Sequence, residues 1–284
     1  MALKDILVHL DGSPRSAARL ALGADLARRH EAHLTGLHVI DPPVMPLFYG
    51  DPAGFVDAAW VQEMITRLEA TARQRAARVQ QDFAERLRRD DIKGEWRLAE
   101  GVAADTVAHH ARYADLAILG QSRPEDSQIS TGNVPATTML SSGRPVLVVP
   151  YVGSFATVGG KVLVGWKAGR EAARAVNDAI PLLEKAQSVK VLAINPDRGI
   201  DGEGDLPAAD IALHLARHGI KTEAAHTVAK DVPEGDVLLN EAADMDADLI
   251  VVGGYGHSRA REFFFGGVTR SLLSSMTVPV LFSH

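Results

Sequence analysis

The chain has 284 residues, 46% apolar and 23% charged, with a formal net charge of −6 at pH 7. That length accommodates one large domain or two of ordinary size; the excess of acid argues against a broad basic face for nucleic acid, and the lack of cysteine excludes disulfides, thiolate nucleophiles and cysteine metal sites. No apolar run approaches the ~20 residues that cross a bilayer, and no basic segment with a long apolar core precedes the first strand-like run, so neither a membrane span nor a secretory signal is expected and the cytoplasm is the expected compartment.

Ile6–Leu10 reads as a strand, followed by the turn Asp11-Gly12-Ser13-Pro14 and an alanine-rich helix from Ser16 to Arg29, with Ala17, Leu20, Ala21 and Ala24 on one face. Leu34–Ile40 is a strand apolar enough for burial on both sides, as in a parallel sheet. Residues 41–59 carry Pro42, Pro43, Pro46 and Pro52 among Met45, Phe48, Tyr49 and Phe55, which predicts a loop with apolar side chains, either a docking segment or a loop packed on its own domain. From Trp60 to Arg88, the spacing of Val61, Ile65, Leu68, Ala72, Ala76, Val79, Phe83 and Leu87 predicts one long amphipathic helix. A strand at Trp96–Leu98, a helix near Thr106–Tyr113, a strand at Leu116–Leu119, a loop over 120–132, a helix at Val134–Ser141 and a strand at Val146–Val149 complete five strands alternating with four helices. That alternation implies right-handed parallel crossovers and ligands at the carboxyl ends of the strands.

The order then begins again. Val162-Leu163-Val164-Gly165-Trp166-Lys167 repeats Ile6-Leu7-Val8-His9-Leu10-Asp11, Ala247-Asp248-Leu249 repeats Ala114-Asp115-Leu116, and Pro279-Val280-Leu281 repeats Pro145-Val146-Leu147. Two domains are expected, over 1–150 and 151–284. Near the end, Leu249–Val252 leads into Gly253-Gly254-Tyr255-Gly256-His257-Ser258 and through Gly266-Gly267-Val268-Thr269 into a helical pattern. Strand, glycine loop and helix start together suit a phosphate, because glycine admits close approach and the helix start offers unpaired N–H groups.

Asp11-Gly12-Ser13 after the first strand, together with Gly253-x-x-Gly256, nine residues, Gly266-Gly267-Val268-Thr269, resembles the universal stress protein family. The chain looks like a tandem member over nearly its whole length. The resemblance implies an α/β fold of two repeated open five-stranded parallel sheets with helices on both faces, strand order 3-2-1-4-5, Rossmann-like. It also implies pairing of the fifth strands, Val146–Val149 with Val280–Phe282, inside one chain, and leaves further homodimerisation open. In the family an ATP site, with Mg2+ as companion ion, takes an aspartate at the end of the first strand, main chain after the second strand and the glycine loop with its helix. The positions implied here are Asp11 in the first copy, and Lys167, Ile194, Gly253, Gly256, His257, Ser258, Gly266, Gly267, Val268 and Thr269 in the second.

Both copies depart from the pattern. In the second, Lys167 stands at the aspartate position; an ammonium only donates hydrogen bonds, so ribose recognition is expected to be lost, and Lys167 either approaches a phosphate or is solvated. Gly267 replaces the usual hydroxyl residue but keeps its N–H. In the first copy Asp11 is present, yet Arg123 stands where the second glycine belongs; Asp11 either meets a nucleoside or caps the helix that follows. His109-His110 and the pair His214 and His218 lack the accompanying ligands of a metal site. No catalytic motif stands out, so no enzyme is expected. The expected function is a cytoplasmic stress-response sensor or adaptor binding an adenine nucleotide mainly in the second domain, with an unknown protein partner; the alternative is a protein-interaction scaffold with decayed sites.

Overall fold

The computed structural model describes residues 2–42, 58–122, 133–196, 207–254 and 267–284. In the first half, strands β1 (Asp5–His9), β2 (His33–Ile40), β3 (Gly94–Glu100), β4 (Leu116–Gly120) and β5 (Val146–Val149) alternate with helices α1 (Ser16–His30), α2 (Ala58–Asp90), α3 (Ala103–Ala111) and α4 (Val134–Ser141). The second half repeats this with β6 (Lys161–Trp166), β7 (Ser188–Ile194), β8 (Thr222–Thr227), β9 (Leu249–Gly253) and β10 (Val280–Ser283), and with α5 (Arg170–Leu183), α6 (Ala209–Arg217), α7 (Glu234–Asp244) and α8 (Gly267–Ser275).

All ten strands form one sheet in the order β3-β2-β1-β4-β5-β10-β9-β6-β7-β8, which is the expected 3-2-1-4-5 order twice over. Pairing is parallel within each half and antiparallel where β5 meets β10. There Leu147 lies opposite Leu281, its own equivalent in the repeat, with Val148 opposite Val280 and Val146 opposite Phe282. A local two-fold axis therefore passes through the Leu147–Leu281 pair, and the carboxyl ends of the two halves face opposite edges of the sheet. Since β5 and β10 cover each other, neither leaves an open edge.

The alternation of side chains along each strand sorts the core into two layers. Ile6 and Val8 of β1 pack with Leu20, Leu22 and Leu26 of α1, Val79 and Phe83 of α2, and Val176 of α5. Leu7 faces the other layer with Val107 of α3, Met139 of α4, Leu238 of α7 and Leu272 of α8. Helices thus cover both faces, and near-continuous apolar strands such as Val146–Val149 are buried throughout.

The α1 face differs from the sequence reading. Ala17 is exposed, whereas Arg19 and Asp25 are buried, because α1 packs against both the sheet and α2 and so buries more than a narrow stripe. Helix α3 begins at Ala103, three residues before the predicted start, because the Asp41 carboxylate accepts from the Ala103 N–H (2.8 Å) and so satisfies one first-turn donor. In α2 only the C-terminal part is seated: Phe83 presses on β2 where Gly36 leaves room, a Cβ there meeting the ring at 2.7 Å, while Trp60 and Leu68 near the start are 44% and 45% exposed. Most of the proline-rich 41–59 stretch lies outside the described residues. Among the described residues no helix is long and apolar enough to cross a membrane.

One device recurs in both halves. Asp115 accepts from the backbone N–H groups of Lys4 (2.7 Å) and Asp5 (3.1 Å), and Asp248 accepts from those of Gly159 (3.0 Å), Gly160 (2.9 Å) and Lys161 (3.1 Å). The repeated Ala-Asp-Leu sequence therefore fastens the start of each half's first strand to its fourth.

Candidate functional site

In each half the chain leaves the first strand toward one helical layer and the fourth strand toward the other. A crevice opens between the carboxyl ends of two such strands, and open α/β sheets bind ligands there. In the first half the crevice lies between β1 and β4, beside Asp11 and Gly120; in the second it lies between β6 and β9, beside Lys167 and Gly253.

Among the described residues, Arg19 occupies the floor of the first crevice beneath a half-exposed Asp11. Asp11 Oδ1 accepts from the Ser13 N–H (2.9 Å) and the Ser16 hydroxyl (2.8 Å), and pairs with Arg19 Nη2 at 2.5 Å. Arg19 is buried, and its Nε donates to the His9 carbonyl at 3.0 Å. A Cβ on Gly120 would collide with Arg19 Nη1, so this glycine is the seat of a guanidinium. Burial acts to raise the Asp11 carboxyl, but the Arg19 guanidinium, His9 and the Ser13 bonds outweigh it and hold the group well below the usual carboxylate range. Burial brings the neighbouring His9 down to about 4, Asp11 opposing and Arg19 and His38 adding to the shift. Over Gly12, whose φ is +74°, a Cβ would meet Arg75 Cδ at 2.8 Å, so Arg75 roofs the turn.

The helix that would receive a phosphate in the first half is also spent. Asn133 caps α4 by accepting from the Ala136 N–H (3.1 Å), and Pro135 in the first turn has no N–H to give. Arg123 lies outside the described residues.

The second crevice is built differently. Lys167 is exposed at the end of β6, and Ile194 closes β7 at the same edge of the sheet, so Lys167, Ile194, Gly253 and Gly254 come together. The Ile194 side chain packs into the core and the next residue turns back, the Asn195 N–H donating to Thr227 O at 2.9 Å. Gly253 is pressed by the first turn of α5, where a Cβ would lie 2.6 Å from Ala172 N. Gly254 takes Met139 of the first half against its Cα, and its carbonyl lies 3.0 Å from His284 Nδ1. At the start of α8, Gly267 is exposed with no described residue within 4 Å of where a Cβ would stand, Val268 is half-buried and Thr269 is buried. Gly256, His257, Ser258 and Gly266 lie outside the described residues, as do Phe263, Phe264 and Phe265. Asp11 sits on the opposite edge of the sheet and belongs to a separate place.

Two cavities of about 400 and 490 Å3 lie elsewhere: one at the amino ends of β1–β3, beside Thr35, Arg97 and His110, the other along α3 beside Asp105 and Ser141. Neither touches Asp11 or Gly253, and Arg97 in the first is already paired with Glu95. The His214 and His218 rings contact each other edge to face at 4.8 Å, and among the described residues no group of three histidines or carboxylates is placed to hold a metal.

Two doubly wound halves joined through their fifth strands, each with a crevice at a switch point, define a tandem α/β protein. The model of the universal stress protein family matches residues 2–150 and 160–284, and the chain belongs to that family. It is similar in fold to a universal stress protein from Archaeoglobus fulgidus DSM 4304 (TM-score 0.69, 17% identity, covering 98% of this chain and 96% of that one). It is similar also to a functionally unknown protein from Pseudomonas aeruginosa PAO1 (0.57, 17%, 99% and 92%) and to a putative universal stress protein from P. aeruginosa UCBPP-PA14 (0.57, 16%, 99% and 93%). Comparison with curated proteins finds no match.

Reading residues along one copy missed Arg19. Its signal lay in the repeat: the position equivalent to Arg19 in the second half is Ala175, so the arginine stands at that position in one copy only.

Proposed function

We propose that the chain is a cytoplasmic stress-response protein that binds an adenine nucleotide, ATP with Mg2+, in its second half and acts as a sensor or adaptor without dedicated catalysis. The observation that carries this reading is the contrast between the two helix starts. The first turn of α4 is capped by Asn133 and contains Pro135, whereas α8 opens on Gly267, with no described residue within 4 Å of where its Cβ would stand and no proline through Arg270. Backbone N–H groups and the positive end of the α8 dipole suit a phosphate chain. Lys167, exposed at the adjoining strand end, supplies a cation to the same crevice and no acceptor for ribose. Recognition is therefore weighted toward the phosphates.

Denaturing the purified protein and identifying released small molecules by mass spectrometry, with calorimetric titration of ATP and Mg2+, tests the reading; no nucleotide released and no heat of binding sinks it. Gly267→Asp is the informative variant. An aspartate at a helix start favours the helix but repels phosphate, so ATP affinity is expected to fall about tenfold or more with thermal stability unchanged. A second reading, a protein-interaction scaffold, is favoured by the exposed Trp60 and Leu68 on α2. It predicts a binding partner lost in Trp60→Glu and indifferent to ATP.

A further inference from the structure

We propose that Arg19 is a built-in occupant of the first crevice, a guanidinium standing between β1 and β4 that a ligand reaching Asp11 there would have to displace. Four contacts fix the group at the meeting of β1 and β4. Its Nε reaches the His9 carbonyl at 3.0 Å, Nη2 reaches Asp11 Oδ1 at 2.5 Å and Ser16 Oγ at 3.1 Å, and Nη1 lies over Gly120. The Arg19 side chain is 4% exposed and takes Asp11 Oδ1 from the buried side, whereas the Asp11 side chain itself is 42% exposed. Gly120 serves the same occupant, since any side chain there would displace the guanidinium.

The second half shows the converse. The equivalents of Asp11 and Arg19 are Lys167 and Ala175, so carboxylate and guanidinium are absent together. With no arginine to accommodate, the α5 backbone comes directly against Gly253, the equivalent of Gly120. Asp11 and Arg19 thus behave as one unit, present in one half and missing from the other. A buried guanidinium paired with a half-exposed carboxylate and held by three further hydrogen-bonding partners resists displacement, and a ligand entering between β1 and β4 would have to break that set.

The proposal borrows only its probe from the nucleotide reading above. Adenosine is the suitable probe, because the capped start of α4 gives a phosphate little to hold. Calorimetric titration of the full chain with adenosine is expected to show one additional site per chain in Arg19→Ala relative to the unmodified protein; an unchanged count in a folded Arg19→Ala chain overturns the proposal. Removing the guanidinium leaves Asp11 without its partner, so Arg19→Gln, which retains a donor for the His9 carbonyl, is measured alongside and is expected to gain the same site with lower affinity. In the unmodified chain the His9 ring resonances are expected to stay in place at saturating adenosine, and a shift there would place nucleoside beside Asp11 and overturn the proposal. The two readings fail separately: absence of ATP binding by the unmodified chain removes the second-half site, whereas the site gained on changing Arg19 is read by difference.

Discussion

At Asp115 and Asp248 the same side chain performs the same task in both halves, accepting backbone N–H groups where the first strand begins. Asp248→Ala strips an acceptor from Gly159, Gly160 and Lys161 at once, and is expected to cost about 2–3 kcal/mol in denaturant unfolding. Asp248→Asn, which keeps one carbonyl oxygen, is expected to recover part of that. These residues were visible in the sequence as a repeated tripeptide, but nothing in the tripeptide says what it fastens. The same holds at the candidate site. Gly253, Lys167 and Ile194 were implied by the resemblance, and the register of β6, β7 and β9 brings them to one edge of the sheet. The partner of Asp11 was not visible, because Arg19 lies on the next helix and reaches Asp11 only after that helix has docked; an arginine that turns inward obeys tertiary geometry that no hydrophobic period records.

Among the elements, strands were the most legible, since a parallel sheet covered on both faces leaves nearly unbroken apolar runs such as Leu249–Val252. Helix ends were less so. The start of α3 is set by Asp41, a residue from the loop after β2, and periodicity within the helix carries no trace of it. The β5–β10 junction was expected from the resemblance, and its symmetry shows only in the register, where Leu147 and Leu281 face each other fully buried. Leu281→Lys puts a charge at that centre with no partner in reach. It is expected to cost more than about 3 kcal/mol and to separate unfolding into two transitions, one for each half, in calorimetry.

For the whole molecule, acid sensitivity follows from groups that the fold holds neutral or charged against their usual preference. His9 and His30 are both brought down to about 4, in each case chiefly by burial, with Lys185 and Arg29 adding to the effect on His30. An unfolded histidine titrates near 6.5, so between about pH 6.5 and 4 the unfolded chain binds protons that the folded chain refuses. Stability is therefore expected to fall as pH drops through that window, by up to about 3 kcal/mol for His9 and by less for His30, whose charge is more screened by solvent, and to level off for these two below it. Asp11 acts lower down: its folded value is depressed, so its contribution is present above the ordinary carboxylate range and is lost as pH falls beneath it. Among the described residues neither ring nitrogen of His30 has a hydrogen-bond partner. His30→Leu is accordingly expected to flatten the dependence, with urea midpoints at pH 7.5 and 5 lying closer together than in the unmodified chain.

The antiparallel seam between β5 and β10 also bears on how the two crevices came to differ. Where two identical chains meet across such an axis, every substitution appears twice, and an arginine that occupies one crevice occupies both. Joining the halves in one polypeptide removes that coupling. Asp11 and Arg19 can be inherited on one side of Leu147–Leu281 while Lys167 and Ala175 are inherited on the other, and a fold that is symmetric in its backbone becomes free to divide its labour.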